Sequence, residues 1–155
     1  MKLNIHSRVK LACQQFETAV KLFLTGGDRF SVITLAGAAD VIFCQTLSRR
    51  GIQNLTQYIA DTKKDSRPIG KIGREINDLL HINDLKHMDD QSDVYVDMNL
   101  EECALGAILK ALANYHALDE RNQIFVDGLK AWVKANLDPS IYNVNCDPNW
   151  NSKQN

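Results

Sequence analysis

The sequence predicts an all-α protein, an up-and-down bundle of four to five main helices. Apolar residues recur at steps of three and four along most of the 155-residue chain, which is the spacing of amphipathic helices. Capping residues stand at the ends of these segments. The one alternating stretch, around "VYV" at 94–96, is too short to build a sheet. We therefore expect a single helical domain over 1–137, followed by an Asn- and Pro-rich tail at 138–155.

Two long helices are predicted in the first third of the chain. Apolar positions between residues 7 and 25 share one face, and the Gly26–Gly27 pair ends that helix because glycine takes the left-handed C-cap conformation at no steric cost. Residues 30–51 are apolar around most of a helix circumference, which predicts the most buried helix. Small residues within 35–39 leave it a smooth waist where a neighbouring backbone can approach, and Gly51 closes it.

The next segments are shorter. Asn54 can cap a short helix over 54–63, and Pro68 suits the start of another helix whose apolar stripe runs to Leu80. The pattern leaves open whether this helix continues into residues 81–87. A polar loop at 88–99 follows.

Two further helices complete the pattern. Asn99 and Glu102 have the spacing of a capping box, and the helix they open should run to about Leu118. A last helix is expected over 123–136.

Composition narrows the classes of function. A formal net charge of −1 and a pI of about 6.4 disfavour a general DNA- or RNA-binding protein, which usually carries a basic excess. No uninterrupted apolar run approaches the roughly 18 residues of a membrane span, and no signal peptide is recognised, so we expect a cytoplasmic protein that does not bind membranes. Four scattered cysteines without a CxxC pair are expected to be reduced.

The stretch "HINDLKHMDD" at 81–90 holds the densest set of chemically active side chains, and three interpretations stay open. His81 and His87 are six positions apart, whereas two helical metal ligands want a separation of three or four. A histidine beside Lys86, with Asn83 one turn away, could act as an acid–base group on a phosphodiester. An ordinary polar helix end would contain the same residues.

Three segments together resemble the small bacterial HEPN-like helical proteins. These are "AVKLFLTGGDRFSVITLAGAADVIF" at 19–43, "NDLKHMDD" at 83–90 and "ALGAILKALANYHAL" at 104–118. The resemblance implies a helical bundle that dimerises, with the Lys86–His87 pair at the dimer cleft. Active HEPN ribonucleases use an arginine followed four to six residues later by a histidine, without a metal.

The arginine of that motif is missing here. His87 matches the histidine and Asn83 matches the polar residue, but Ile82 stands where the arginine would be, and the nearest upstream arginine is Arg74. Lysine does not replace it, because an ammonium lacks the bidentate geometry of a guanidinium.

The sequence therefore favours a homodimeric, HEPN-like binding or regulatory module with a degenerate ribonuclease motif and no cofactor or resident metal. The residues expected at its site are Asn83, Lys86 and His87, with Asp89, Asp90 and His81 as further binding residues. The alternatives are a metal-independent ribonuclease of a toxin–antitoxin system, with RNA or an antitoxin protein as partner, and a metal- or small-ligand-binding helical protein that uses His81, His87 and the aspartates.

Overall fold

A computed structural model of the chain describes residues 4–88, 90 and 93–145. These residues form six helices and no strand, which confirms the all-α prediction. The chain divides into two compact units, residues 1–121 and 122–155. The first unit contains α1 (Arg8–Leu24), α2 (Arg29–Arg49), α3 (Leu55–Thr62), α4 (Ile69–Leu79) and α5 (Leu100–Tyr115), and the second contains α6 (Gln123–Asn136).

Side-chain caps decide where most of the helices begin. An oxygen of the capping side chain accepts a backbone N–H of the first turn, and this replaces a hydrogen bond that the helix itself cannot supply. At α3 the bond is reciprocal, because Gln57 also accepts the backbone N–H of Asn54 at 3.0 Å. The capping residues of α1, α2, α3, α5 and α6 are Ser7, Asp28, Asn54, Asn99 and Asn122.

The first four helices all end in the same type of backbone turn. The second residue after each helix has a left-handed backbone conformation. The backbone N–H of the residue that follows it donates to a carbonyl oxygen five residues earlier. Gly26 and Gly51 fill this position after α1 and α2, which confirms the two stops predicted from glycine. Lys64 and His81 fill it after α3 and α4, with φ values of 52° and 54°.

The core of the first unit lies where α2 packs against both α1 and α5. One aromatic ring from each helix meets at this centre. The ring centroids of Phe16 and Tyr115 are 4.9 Å apart, and Phe43 lies 6.0 Å from Phe16 and 5.6 Å from Tyr115. The Tyr115 hydroxyl donates to Glu17 at 2.7 Å, so the polar end of this ring is also satisfied.

Helix α2 also meets the length and hydropathy criteria of a membrane-spanning helix, with 21 residues and a mean hydropathy of 1.6 in its most apolar window. The helix contains no uninterrupted apolar run of that length, because single polar residues break the run without lowering the mean hydropathy much. The buried core helix of a water-soluble protein meets the same criteria. Here α2 packs against two other helices, and it carries a buried charge at its middle.

The end of α4 is fixed by two side chains that pack onto glycines. Ile82 is buried and lies against Gly37 of α2, where an added Cβ would come within 2.6 Å of the Ile82 Cγ2 atom. Leu80 lies against Gly106 of α5, where the corresponding distance is 2.6 Å to Cδ2. The waist predicted on α2 thus accepts a side chain rather than a backbone. This contact sets the position of the turn that carries Asn83 and Lys86.

Candidate functional site

A buried ion pair joins α2 to α5 in the middle of the first unit. Asp40 and Lys110 are hydrogen-bonded to each other, and their side chains are only 2% and 7% exposed. Taking two charges out of water is costly, and a buried pair persists when further hydrogen bonds satisfy it. This charged pair is therefore a polar site inside an otherwise apolar core.

Asn114 supplies the additional hydrogen bonds. Its amide nitrogen donates to the second Asp40 oxygen at 2.7 Å and to the Cys44 sulfur at 3.2 Å. Its amide oxygen accepts the backbone N–H of Leu55 at 2.8 Å, which ties the first residue of α3 to the same network. Three helices are therefore connected through polar groups beneath the surface, and this fixes the geometry of the space above them.

That space is a cleft of about 440 Å³, within the usual range of small-molecule sites. Most of the residues that line it carry hydroxyl, amide or charged groups, while Val41 and Ile69 add apolar surface. Helix α2 contributes Asp40, Val41, Cys44, Gln45 and Ser48, the start of α3 contributes Asn54 and Thr56, α4 contributes Ile69, Gly70, Gly73, Arg74 and Asn77, and Asn83 and Lys110 complete it.

The charges along the cleft are unequal. Arg74 and Lys110 are its cationic lining residues, and Asp40 is its one carboxylate among the residues that the structure describes. The acidic side chains of α4 have partners of their own. Glu75 forms an ion pair with Arg67, and Asp78 accepts a hydrogen bond from the Asn83 amide at 2.6 Å. The lining is thus net positive although the whole chain is slightly negative.

Lys86 adds to this positive field. It is half-buried, and burial is the main cause of a lowered pKa, with the charge of Lys110 acting in the same direction and that of Asp40 opposing it. Lys86 does not line the cleft itself, but it lies on the same turn as the lining residue Asn83. A cation in such surroundings gains more from a nearby anion than a cation in open water does.

Cys44 lines the cleft as a neutral thiol. Burial and the neighbouring Asp40 charge raise its pKa to about 12, so at neutral pH it carries its proton. Cys13 behaves similarly, with burial raising its pKa to about 11. Neither has the lowered pKa of a reactive thiolate. Cys13, Cys44 and Cys103 are free, and Cys146 lies outside the described residues.

The structure separates the residues that the sequence placed in one site. Asn83 lines the cleft, and Lys86 is half-buried on the same turn but does not line it. His87 and Asp90 are exposed, and neither lines the cleft. The His81 ring nitrogen Nδ1 lies 2.7 Å from an Asp84 oxygen, an arrangement that fixes the ring outside the cleft lining. Asp89 lies outside the described residues.

The open question about residues 81–87 has a structural answer. Helix α4 ends at Leu79, and the left-handed backbone of His81 redirects the chain. A single turn follows, in which the His87 N–H bonds to the Asn83 carbonyl at 3.0 Å. Asn83 and His87 are therefore one turn apart, as a helix would place them, but the new direction leaves Leu79 78% exposed instead of extending the apolar stripe.

Within the described residues, the structure contains no cluster of ligands that would support the metal-binding alternative. Among the residues that the structure describes, no group of three or more His, Cys, Asp or Glu side chains could hold a metal ion.

Sequence reasoning did not single out Asp40, Lys110, Asn114 or Arg74. A signal for the first two was present, because each is the one charged residue of a long apolar stretch, 30–48 for Asp40 and 103–115 for Lys110. A lone charge inside a fully apolar helix must find a partner when the helix is buried. A lone charge of this kind therefore predicts a buried ion pair, but not which residue is the partner or how the two side chains meet.

Comparisons with protein-family models, with curated proteins and with solved structures gave no match for this chain.

Proposed function

We propose that this chain is a non-catalytic, HEPN-like binding or regulatory module, and that the polar cleft above the Asp40–Lys110 pair is its ligand site. One observation carries the proposal. The cleft has a rigid polar floor and the volume of a small-molecule site, whereas His87, the acid–base candidate, does not line it. Binding needs the first property, while catalysis by His87 needs the imidazole beside the bound group.

The positions of the polar groups support binding over turnover. The hydroxyl and amide groups of the lining can orient a ligand from several sides, and the Asn114 network joins α2, α3 and α5, on which several of them stand. The Cys44 thiol is protonated and so is a weak nucleophile.

A cleft-filling variant tests the proposal. Gly70 lines the cleft and has open space where a Cβ would stand, so Gly70→Gln adds bulk there without a clash. Gly128 in α6 is equally open, which makes Gly128→Gln a matched control. We expect the wild-type chain and Gly128→Gln to retain a small molecule from a desalted metabolite extract, measured by native mass spectrometry. Gly70→Gln should lose it, and equal retention by all three proteins would contradict the assignment of the site.

The ribonuclease of a toxin–antitoxin system remains a second candidate because of two observations. Arg74 reaches the cleft from α4, which supplies the guanidinium that the motif itself lacks. His87 is one turn from Asn83, which lines the same cleft. A movement of the turn that follows Ile82, or a second copy of the chain, would be needed to bring the imidazole to the guanidinium.

Incubation with structured and single-stranded RNA in EDTA distinguishes the two candidates. We expect no cleavage by the wild-type chain. Cleavage that is lost in both His87→Ala and Arg74→Gln but retained in Lys71→Gln, a nearby cation outside the lining, would overturn the non-catalytic proposal.

The homodimer, which rests on the family resemblance, and the cytoplasmic location expected from the sequence belong to the same proposal. Light scattering of the full chain at micromolar concentration tests the dimer, and a monomeric mass would count against it. RNA or a partner protein would then be the macromolecule that the module regulates.

A further inference from the structure

We infer that the ligand of the cleft is a small anionic molecule, whose phosphate or carboxylate group binds beside the Arg74 and Lys110 side chains that line the cleft. This inference rests on the proposed binding function and specifies the chemical class of the ligand. It depends on three properties of the described residues: the distribution of charge, the free state of two cations, and the supply of neutral hydrogen-bonding groups beside them.

The first property is an excess of positive charge. Arg74 and Lys110 line the cleft against one carboxylate, Asp40, and the half-buried Lys86, on the turn that carries Asn83, is a third cation just outside the lining. Asp40 neutralises only one of the three. A monovalent or divalent anion in this space therefore offsets the remaining repulsion.

The second property is that two of the cations are not engaged. Within the described residues, Lys110 is held by Asp40, but no hydrogen bond or ion pair occupies Arg74 or Lys86. Other arginines of the same unit are paired: Arg67 with Asp65 and Glu75, and Arg50 with Glu120. A free guanidinium at the wall of a cleft can bind a phosphate or a carboxylate with two parallel hydrogen bonds.

The third property concerns the rest of the ligand. Gln45, Asn77 and Asn83 offer amide groups around the lining, while Ile69 and Val41 give it apolar surface. The volume of about 440 Å³ exceeds what a bare phosphate or acetate would occupy. The ligand we infer is therefore a small organic molecule with one anionic group and a neutral polar body.

Lys86 gives this inference a specific energetic signature. Its ammonium is destabilised by burial and by Lys110, so in the empty protein it lowers the stability of the fold. Lys86→Met should therefore stabilise the unliganded chain and weaken anion binding at the same time. A lysine with only a structural role would not produce this combination.

The test uses simple anions and their neutral analogues with the full ¹⁵N-labelled chain. Inorganic phosphate and acetate are titrated at constant ionic strength, with trimethyl phosphate and acetamide as the uncharged controls. Binding is followed by NMR, through the chemical shifts of the backbone amides of Gly70 and Gly73, which line the cleft. We expect saturable shifts with phosphate, acetate or both, and little or no shift with the neutral pair; whichever anion binds identifies the group.

Variants then assign the cations. Arg74→Gln should weaken anion binding about tenfold, the value of one lost charge-assisted hydrogen bond pair. Lys86→Met should weaken it as well while raising the urea midpoint. Lys71→Gln, on the same helix but outside the lining, should change nothing.

Two outcomes would overturn the inference, and they differ in what they say about the site. Equal shifts with the neutral analogues would leave the cleft as a binding site but remove its preference for charge. Absence of any saturable shift with either anion would reject the anionic ligand class, while the metabolite-retention experiment still judges the binding function independently.

Discussion

Lys64 holds a left-handed backbone conformation that costs a side chain other than glycine about 1–2 kcal/mol. Lys64→Gly should therefore raise the free energy of unfolding by about 1 kcal/mol, measured by urea denaturation. Lys63→Gly is the matched control, because Lys63 has ordinary right-handed angles of φ −83° and ψ −3°. That variant should lose about 0.5–1 kcal/mol. A loss of stability in Lys64→Gly would show that the lysine side chain has a stabilising role of its own.

The buried pair supplies a second prediction at the level of single residues. Lys110→Met leaves the Asp40 charge buried without its partner, so it should lower the free energy of unfolding by about 3–5 kcal/mol. Adding Asp40→Asn removes that orphaned charge and keeps an oxygen that can accept from Asn114. The double variant should therefore be more stable than Lys110→Met alone, as judged by urea denaturation. Simple additivity of the two losses would contradict this account of the network.

At the level of elements, two glycines decide how closely the end of α4 can approach α2 and α5. Gly37→Ala would bring a Cβ within 2.6 Å of Ile82 Cγ2, an atom next to the β-carbon that can move only by a backbone shift or by a change of χ1, which is restricted in a β-branched side chain. Gly106→Ala meets only the tip of the flexible Leu80 side chain.

We expect Gly37→Ala to cost about 1–3 kcal/mol and Gly106→Ala clearly less, since overpacking is partly offset by the better helix propensity of alanine. Thermal unfolding of both variants measures the difference. Ile82→Ala, which removes the clashing methyl, should make the further change Gly37→Ala harmless or stabilising. A Gly37→Ala protein as stable as the wild type would mean that Ile82 does not pack as described.

The elements themselves were well predicted by sequence, because each helix boundary depends on local chemistry. Asn54 and Asn99 stand where the caps are found, and Gly26 and Gly51 stand where the first two helices stop. The end of α4 was not predicted, since the residue in the left-handed position is His81 and histidine gives no such signal. Only the docking of Leu80 and Ile82 onto two distant helices makes that turn favourable.

The candidate site was predicted only in part, for a similar reason. Asn83 and Lys86 come near the cleft because the turn places them there, while the same turn leaves His87 exposed. Asp40 and Lys110 are 70 positions apart, and their meeting depends on how α2 crosses α5. Spacing along one segment cannot provide that information. A lone charge in an apolar helix predicts a partner but not which one.

For the molecule as a whole, acid should be the condition that destabilises it. The carboxyl pKa of Asp28 is lowered by its cap on Ser31, that of Asp65 is lowered to about 2 by Arg67, and that of Glu120 is lowered by Arg50. Each of these groups is charged in the folded state at a pH where the unfolded chain would already bind a proton. Their contribution to stability is therefore complete above about pH 5 and is lost as pH falls through the folded-state values.

Urea denaturation between pH 7 and pH 2.5 measures this decline. Asp28→Asn keeps a capping oxygen but removes the titrating group, so its stability should decrease less steeply in the same range. A wild-type stability that rose towards pH 3 would contradict the assignment of these carboxylates.

The buried aspartate has a further consequence before the chain is folded. Asp40 lies near the middle of α2, the helix whose length and hydropathy would suit a bilayer. An aspartate at the centre of a segment opposes its insertion by the translocation machinery by about 2.5–3.5 kcal/mol. The residue that fixes the floor of the cleft in the finished protein therefore also discourages the nascent helix from partitioning into lipid before Lys110 has been synthesised to meet it.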